Sequence, residues 1–139
     1  MNRAGTIVIG HNDGWKQKTV LSKKVAQKFE AIPHSRFIFI LKDKAERYGI
    51  NVVIVEESYT SKASLLDMDS IPVYGVRDTA GLYYFSGRRV KRGVYEASGG
   101  RKINADINGA GNIIRKYDPF AMELNLDYLV QTVKIINVA

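Results

Sequence analysis

Asn51-Val52-Val53-Ile54-Val55 limits the possible folds more than any other stretch. An almost unbroken β-branched run has little polar side to turn toward water, so it suits a parallel strand covered on both faces. Upstream, Ser35 is placed to cap a helix running to about Tyr48. Phe37, Ile38, Leu41, Ala45 and Tyr48 share one face of it, and Gly49 follows as a stop. Phe39 and Ile40 widen that face, which implies burial on more than one side. Earlier still, Thr6-Ile7-Val8-Ile9-Gly10 reads as a second short buried strand. Strand, helix and strand make a βαβ unit, so the expected class is α/β with a mainly parallel sheet and helices on its faces. In open sheets of this kind ligands gather beyond the carboxyl ends of the strands. There the sequence places Glu56, Glu57, Ser58, Tyr59, Thr60, Ser61 and Lys62.

A chain of 139 residues with 45% hydrophobic content is expected to form one soluble domain with a real core. Its formal net charge of +7 points to a polyanionic partner such as nucleic acid. There is no cysteine, which excludes disulfides and thiolate zinc sites and fits a reducing cytoplasm. No apolar run reaches membrane-spanning length and no signal-peptide core is evident, so no membrane association is expected.

Between the first strand and the helix, His11-Asn12-Asp13-Gly14-Trp15 reads as a turn-rich loop closed by the single tryptophan, a packing anchor or a base-stacking ring. Residues 16–30 carry lysines around Val20, Leu21, Val25 and Phe29 at roughly helical spacing. Residues 63–102 form a basic, glycine-rich insertion. Within it, residues 68–73 and 83–85 look like short strands or loop anchors. Arg88, Arg89, Lys91, Arg92, Arg101 and Lys102, with Lys62, are candidate phosphate contacts. The plainer alternative is a solvated loop, partly disordered without a partner. Beyond a break at Asp118-Pro119, residues 118–139 read as an amphipathic tail.

Asn104-Ala105-Asp106-Ile107-Asn108-Gly109-Ala110-Gly111-Asn112-Ile113-Ile114 is read as the opening of a helix. Ile107, Ala110, Gly111 and Ile114 share a small-residue face suited to close packing. Asp106 falls in the first turn, where free backbone N–H groups favour a carboxylate. It is therefore either a helix-start residue or a metal ligand. Glu56 or Glu57 at the strand end, brought to Asp106, would repel it unless a cation sat between them, and Mg²⁺ ions would serve phosphodiester cleavage there.

The stretch from Glu56 through Tyr59-Thr60-Ser61-Lys62 to Ser64, followed by the Asp-x-Asn-x-Ala-x-Asn-Ile element of residues 106–113, resembles the C-terminal half of the TnpB (OrfB) family. Ile7-Val8-Ile9-Gly10 and Trp15-Lys16-Gln17 extend the similarity, which covers roughly residues 5–117. These are insertion-sequence-encoded, transposase-associated, RNA-guided DNA nucleases. The resemblance implies an RNase H-like (RuvC-like) fold over residues 1–117, Mg²⁺ as cofactor, and DNA and a guide RNA as partners. It also implies Asp106 as the family's last catalytic, metal-binding aspartate. Gly10 stands where the family has its middle glutamate, so Glu56 or Glu57 is a candidate substitute for catalysis and metal binding. Ser64 and Asp67 stand at the family's first zinc-ribbon pair, with Glu96 and Gly99 near the second, so zinc is not expected and the insertion is held by packing or not held.

The resemblance further implies that the first catalytic aspartate and the guide-recognition regions would precede Met1. The chain is then a truncated protein or an excised domain, inactive or nearly so by itself, with sheet edges open to pairing in a homodimer. A non-catalytic nucleic-acid-binding module and a decayed transposase remnant are the two alternatives.

Overall fold

The computed structural model describes residues 5–12, 34–75 and 83–121. Trp15, the lysine-bearing stretch 16–30 and the tail beyond residue 121 lie outside the described residues. The chain divides into two compact units, residues 1–54 and 55–139.

The first unit holds β1 (Thr6–Gly10), α1 (His34–Arg47) and β2 (Asn51–Val55), the last residue of β2 passing into the second unit. The strands pair in parallel as a two-stranded sheet. The Asn51 N–H donates to the Gly5 carbonyl at 3.0 Å, which sets the two strand starts side by side. Gly49 ends α1 as expected. At φ +68° it takes the left-handed conformation, its N–H donates to the Glu46 carbonyl, and the Ile50 N–H returns to the Ala45 carbonyl.

Two burial expectations fail in this unit. Among the described residues of α1 only Ala45 is buried, while Phe37, Phe39, Ile40 and Tyr48 are exposed. β2 is half-buried, with Ile54 also exposed, where its β-branched run implied cover on both faces. A sheet of two strands offers little apolar surface to a helix, so among the described residues the pattern of a buried element has no matching burying surface.

The second unit is built on a three-stranded antiparallel sheet and a helix. Its strands are β3 (Arg88–Lys91), β4 (Val94–Glu96) and β5 (Lys102–Asn104), in that spatial order, followed by α2 (Ala105–Tyr117). Residues 68–73 and 83–85, expected as strands or anchors, lie in turns and irregular backbone, and the strands come later. Arg88 pairs with Glu96, Arg89 with Tyr95 and Lys91 with Val94, with a bulge between Arg89 and Lys91. Across the sheet, Val94, Tyr95 and Glu96 face Asn104, Ile103 and Lys102. Because side chains alternate along a strand, Tyr95 and Ile103 point to one side and Glu96 and Lys102 to the other.

The inward side makes the core. Leu65, Tyr95 and Ile103 are buried together, with Leu66, Ala105, Ile107 and Ile114 packed against them. Burying each such large side chain stabilises the fold by roughly 1.5–3 kcal/mol. The Tyr95 hydroxyl donates to the Lys62 carbonyl at 2.7 Å, so the buried ring leaves no polar atom orphaned. Gly111 gives Leu65 its place, since a Cβ there would collide with the Leu65 side chain.

The helix face differs from the expected one by a residue. Ala110 is exposed, and Asn108 and Asn112 are fully buried with Gly111. A buried amide is tolerable only when its hydrogen bonds are made. Asn108 accepts the Leu65 N–H at 2.9 Å and donates to the Ala63 carbonyl at 2.8 Å. Asn112 donates to the Thr60 and Ala63 carbonyls at 2.9 and 2.8 Å and accepts from the Arg115 guanidinium at 2.9 Å. Both asparagines thus hold the Tyr-Thr-Ser-Lys turn against α2. Within that turn Tyr59 has a left-handed φ of 62°, which a tyrosine rarely adopts. Its carbonyl accepts the Lys62 and Ala63 N–H groups, and its ring lies against Tyr83 and Phe85 at centroid distances of 5.0 and 6.1 Å.

Candidate nucleic-acid interface

The segment from Glu56 to Leu65 runs along α2 in the opposite direction. Glu56 meets Lys116, Thr60 meets Asn112, and Leu65 meets Asn108. Glu56 and its neighbour Glu57 therefore enter at the C-terminal end of α2, whereas Asp106 sits in its first turn. At 1.5 Å of rise per residue, Asp106 and Lys116 stand roughly 15 Å apart along the helix axis. The structure does not bring the three expected metal-binding carboxylates together. The sequence put Glu56 beyond the end of β2 but gave no direction for the chain that follows, and the asparagine contacts fix that direction.

Glu56 is engaged on its own account. Its carboxylate pairs with Lys116 Nζ at 2.5 Å and accepts the Ser58 N–H at 2.7 Å. Burial alone would raise its pKa, but the hydrogen bonds from Lys116 and Ser58 outweigh that and hold it below the ordinary carboxylate range. Lys116 Nζ also donates to the Pro72 carbonyl at 3.2 Å. Glu57 is half-buried, and its carbonyl accepts from the Thr60 hydroxyl at 2.8 Å. Asp106 is exposed, and its N–H and that of Ile107 donate to the capping Asn104 side chain at 2.8 and 3.2 Å. Among the described residues there is no group of three or more His, Cys, Asp or Glu side chains that could hold a metal ion. Among the described residues, then, Glu56, Glu57 and Asp106 do not by themselves form a Mg²⁺ centre.

The candidate phosphate contacts divide into two sets. Arg88, Arg89, Lys91 and Arg92 lie on the edge strand β3 and its turn, all exposed, with no side-chain partner among the described residues. The turn closes at Gly93, whose φ of +75° suits a residue without a Cβ. Register places Arg88, Glu96 and Lys102 in a row on the outward face of the sheet. That face carries an open cleft of about 680 Å³, lined among others by Lys91, Val94, Lys102, Asn104 and Ile107. The stretch whose plainer alternative in sequence is a solvated loop is an ordered, cation-bearing hairpin, because β4 pairs with β3 on one side and with β5 on the other.

Arg101 and Lys62 are occupied differently. Arg101 Nη2 pairs with Asp67 Oδ1 at 2.5 Å. Lys62 Nζ lies 5.8 Å from the centroid of the Tyr59 ring. Asp67 is the centre of a clasp that sequence reasoning missed. It accepts the Ser64 hydroxyl at 2.6 Å, the Ser98 N–H at 3.0 Å and the Ser98 hydroxyl as well as Arg101. Burial pushes its pKa up, but these bonds outweigh burial and hold it down at about 2. Next to it, buried Asp69 accepts the Ser64 N–H at 2.8 Å, the Ser86 N–H at 2.9 Å and the Ser86 hydroxyl at 2.5 Å. The insertion is therefore held by packing and by two carboxylates that join residues 64–69 to 86 and 98–101. Ser64 and Asp67 stand out in the sequence only through the family resemblance, and residue order does not show that Ser98 and Arg101 meet them.

The chain belongs to the Cas12f1-like TNB domain family. A family model described as Cas12f1-like, TNB domain, matches residues 34–113, more than half of the chain. That range takes in α1, the Tyr-Thr-Ser-Lys turn, the basic hairpin and most of α2, and it places the chain with TnpB/Cas12f-like nucleases at the level of family. No curated protein and no solved structure matches the chain. Among the described residues no helix is long and apolar enough to cross a membrane.

Proposed function

We propose that this chain binds the nucleic acid of a TnpB/Cas12f-like RNA-guided nuclease through the β3–β4 hairpin. The carrying observation is that Arg88, Arg89, Lys91 and Arg92 are exposed on an anchored sheet with no intramolecular partner among the described residues. Elsewhere in the chain Arg47, Arg101 and Lys116 are tied to carboxylates. Phosphates are the complementary ligand, and target DNA and guide RNA are their sources. On this reading the parallel β1–β2 pair and α2 belong to a RuvC-like nuclease domain, and the β3–β5 sheet is its insertion.

Asp106 is the acidic residue this reading assigns to the cleavage centre, and Glu56, bound to Lys116, is left out of it. A Mg²⁺ ion held there would need further acidic ligands beside Asp106, and would supply an activated water for attack on a phosphodiester. A titration of labelled DNA at several salt concentrations tests the binding role. A hairpin that neutralises four phosphates gives a slope of log K against log salt of about −3 to −4. A flat salt dependence overturns it. In a cleavage-competent protein that carries this domain, Asp106→Asn abolishes Mg²⁺-dependent cleavage and leaves binding intact; full cleavage by that variant removes Asp106 from the centre.

A further inference from the structure

Tyr84 is 90% exposed, the most exposed of the chain's described large hydrophobic side chains. One exposed ring by itself needs no explanation. Its setting is what matters, because the backbone on both sides is pinned. Tyr83 and Phe85 turn inward onto the Tyr59 ring, which leaves Tyr84 pointing the other way. Ser86 is bonded to Asp69 through both its N–H and its hydroxyl. Gly87 lies so close beneath Tyr95, Glu96 and Ala97 that a Cβ there would collide with them. Tyr84 is thus an apolar ring presented to solvent from a fixed backbone, with little of the ordering cost that a mobile loop would bring to binding.

The same run of chain continues directly into Arg88 and Arg89, no more than about 14–18 Å away even if fully extended. An aromatic ring followed by phosphate-seeking cations is the arrangement that takes unpaired nucleic acid, with a base stacked on the ring and the backbone on the cations. We infer that Tyr84 is a base-stacking residue and that this surface takes single-stranded nucleic acid in preference to duplex. Bases in a duplex are already stacked on one another, so a protein ring competes for them only after unstacking. The inference rests on the hairpin binding nucleic acid, and it adds the form of the strand and the residue that reads it.

The test is fluorescence anisotropy of the full chain with a labelled short oligothymidine and with a labelled duplex of equal length. Wild type is expected to bind the single strand more tightly. Tyr84→Ala is expected to weaken single-strand binding about fivefold or more and to leave duplex binding within twofold, while Tyr84→Trp retains the single-strand affinity. The substituted side chain is exposed, so the variants keep the fold, which circular dichroism verifies. Equal loss on both ligands, or no loss on either, overturns the stacking role. If Arg88→Ala and Arg89→Ala weaken binding but Tyr84→Ala does not, stacking fails and the hairpin reading stands. If wild type binds neither ligand, both fail.

Discussion

The clasp around Asp67 and the hairpin at residues 88–92 belong to one basic insertion, yet they use charge in opposite ways. In the clasp every charge has a partner: Arg101 on Asp67, with Ser64 and Ser98 completing the carboxylate's hydrogen bonds. In the hairpin four cations stand exposed and unpaired among the described residues. Composition does not separate the two, since Arg101 and Lys102 look like a continuation of Arg88–Lys91 and Arg92. The difference shows that a cation with a buried carboxylate beside it is part of the scaffold, and one on a bulged edge strand is available to a ligand.

The sharpest way to break this contrast is to neutralise the hairpin. Replacing Arg88, Arg89, Lys91 and Arg92 with alanine together is expected to lower DNA affinity by about a hundredfold or more at low salt. The salt slope should fall by about one for each phosphate that the variant no longer neutralises. Stability should hardly change, because exposed substitutions without partners usually stay within about 0.5 kcal/mol each. A large drop in the denaturation midpoint with unchanged binding would reverse the assignment.

Asp67→Asn should do the converse. The substituted amide cannot accept the Ser64, Ser98 and Arg101 donors together, and a stability loss of about 2–3 kcal/mol is expected, read by urea denaturation at neutral pH. The sign with pH follows from the lowered Asp67 pKa. A folded-state value of about 2 against an unfolded value near 3.9 means the contribution, roughly 2 kcal/mol, is complete above the unfolded value. It is lost as pH falls through 4 toward 2. The gap in stability between wild type and Asp67→Asn should therefore narrow across that window; a constant gap would mean the carboxylate's charge is not what holds the clasp.

Much of the fold could be read from residues whose conformation is set locally. Gly49 ends α1 because a left-handed turn requires it, and Asn104 opens α2 because its side-chain oxygen accepts the free N–H groups of Asp106 and Ile107. What the sequence hid was set by contacts distant along the chain. The hairpin strands are short, charged and bulged, so no alternation announces them, and they are strands because Tyr95 is buried on Leu65 and Ile103. The two motifs that carry the family resemblance, the Tyr-Thr-Ser-Lys turn and the Asn-x-x-x-Asn of α2, prove to be two halves of one hydrogen-bonded contact. Spacing alone could show that Asn108 and Asn112 share a helix face, but an amide is usually assigned to the wet side. Only the carbonyls of Thr60 and Ala63 explain why they turn inward. That same contact sends Glu56 toward Lys116, so the expected meeting of carboxylates at Asp106 could not be judged from residue order.

Arg101→Ala sharpens the comparison at single-residue scale. Its guanidinium is half-exposed, so the loss should be modest, about 1 kcal/mol in denaturation, with the salt slope of DNA binding unchanged. A slope that falls by about one would return Arg101 to the interface.

The smallest effect concerns the one acid in the outward row of the sheet. Glu96 sits across from Arg88 on one side and Lys102 on the other, with no ion pair formed to either among the described residues. If that row faces phosphates, the Glu96 carboxylate repels them, and at these separations in water the repulsion is about 0.5 kcal/mol per phosphate. Glu96→Gln keeps the shape and β-strand setting and is therefore expected to tighten DNA binding about twofold to threefold at low salt, the gain fading as salt screens it. Were the row turned away from the ligand, the variant would bind as wild type does. Weaker binding would mean that Glu96 holds Arg88 and Lys102 in place and that the row's charge pattern is structural, like the clasp.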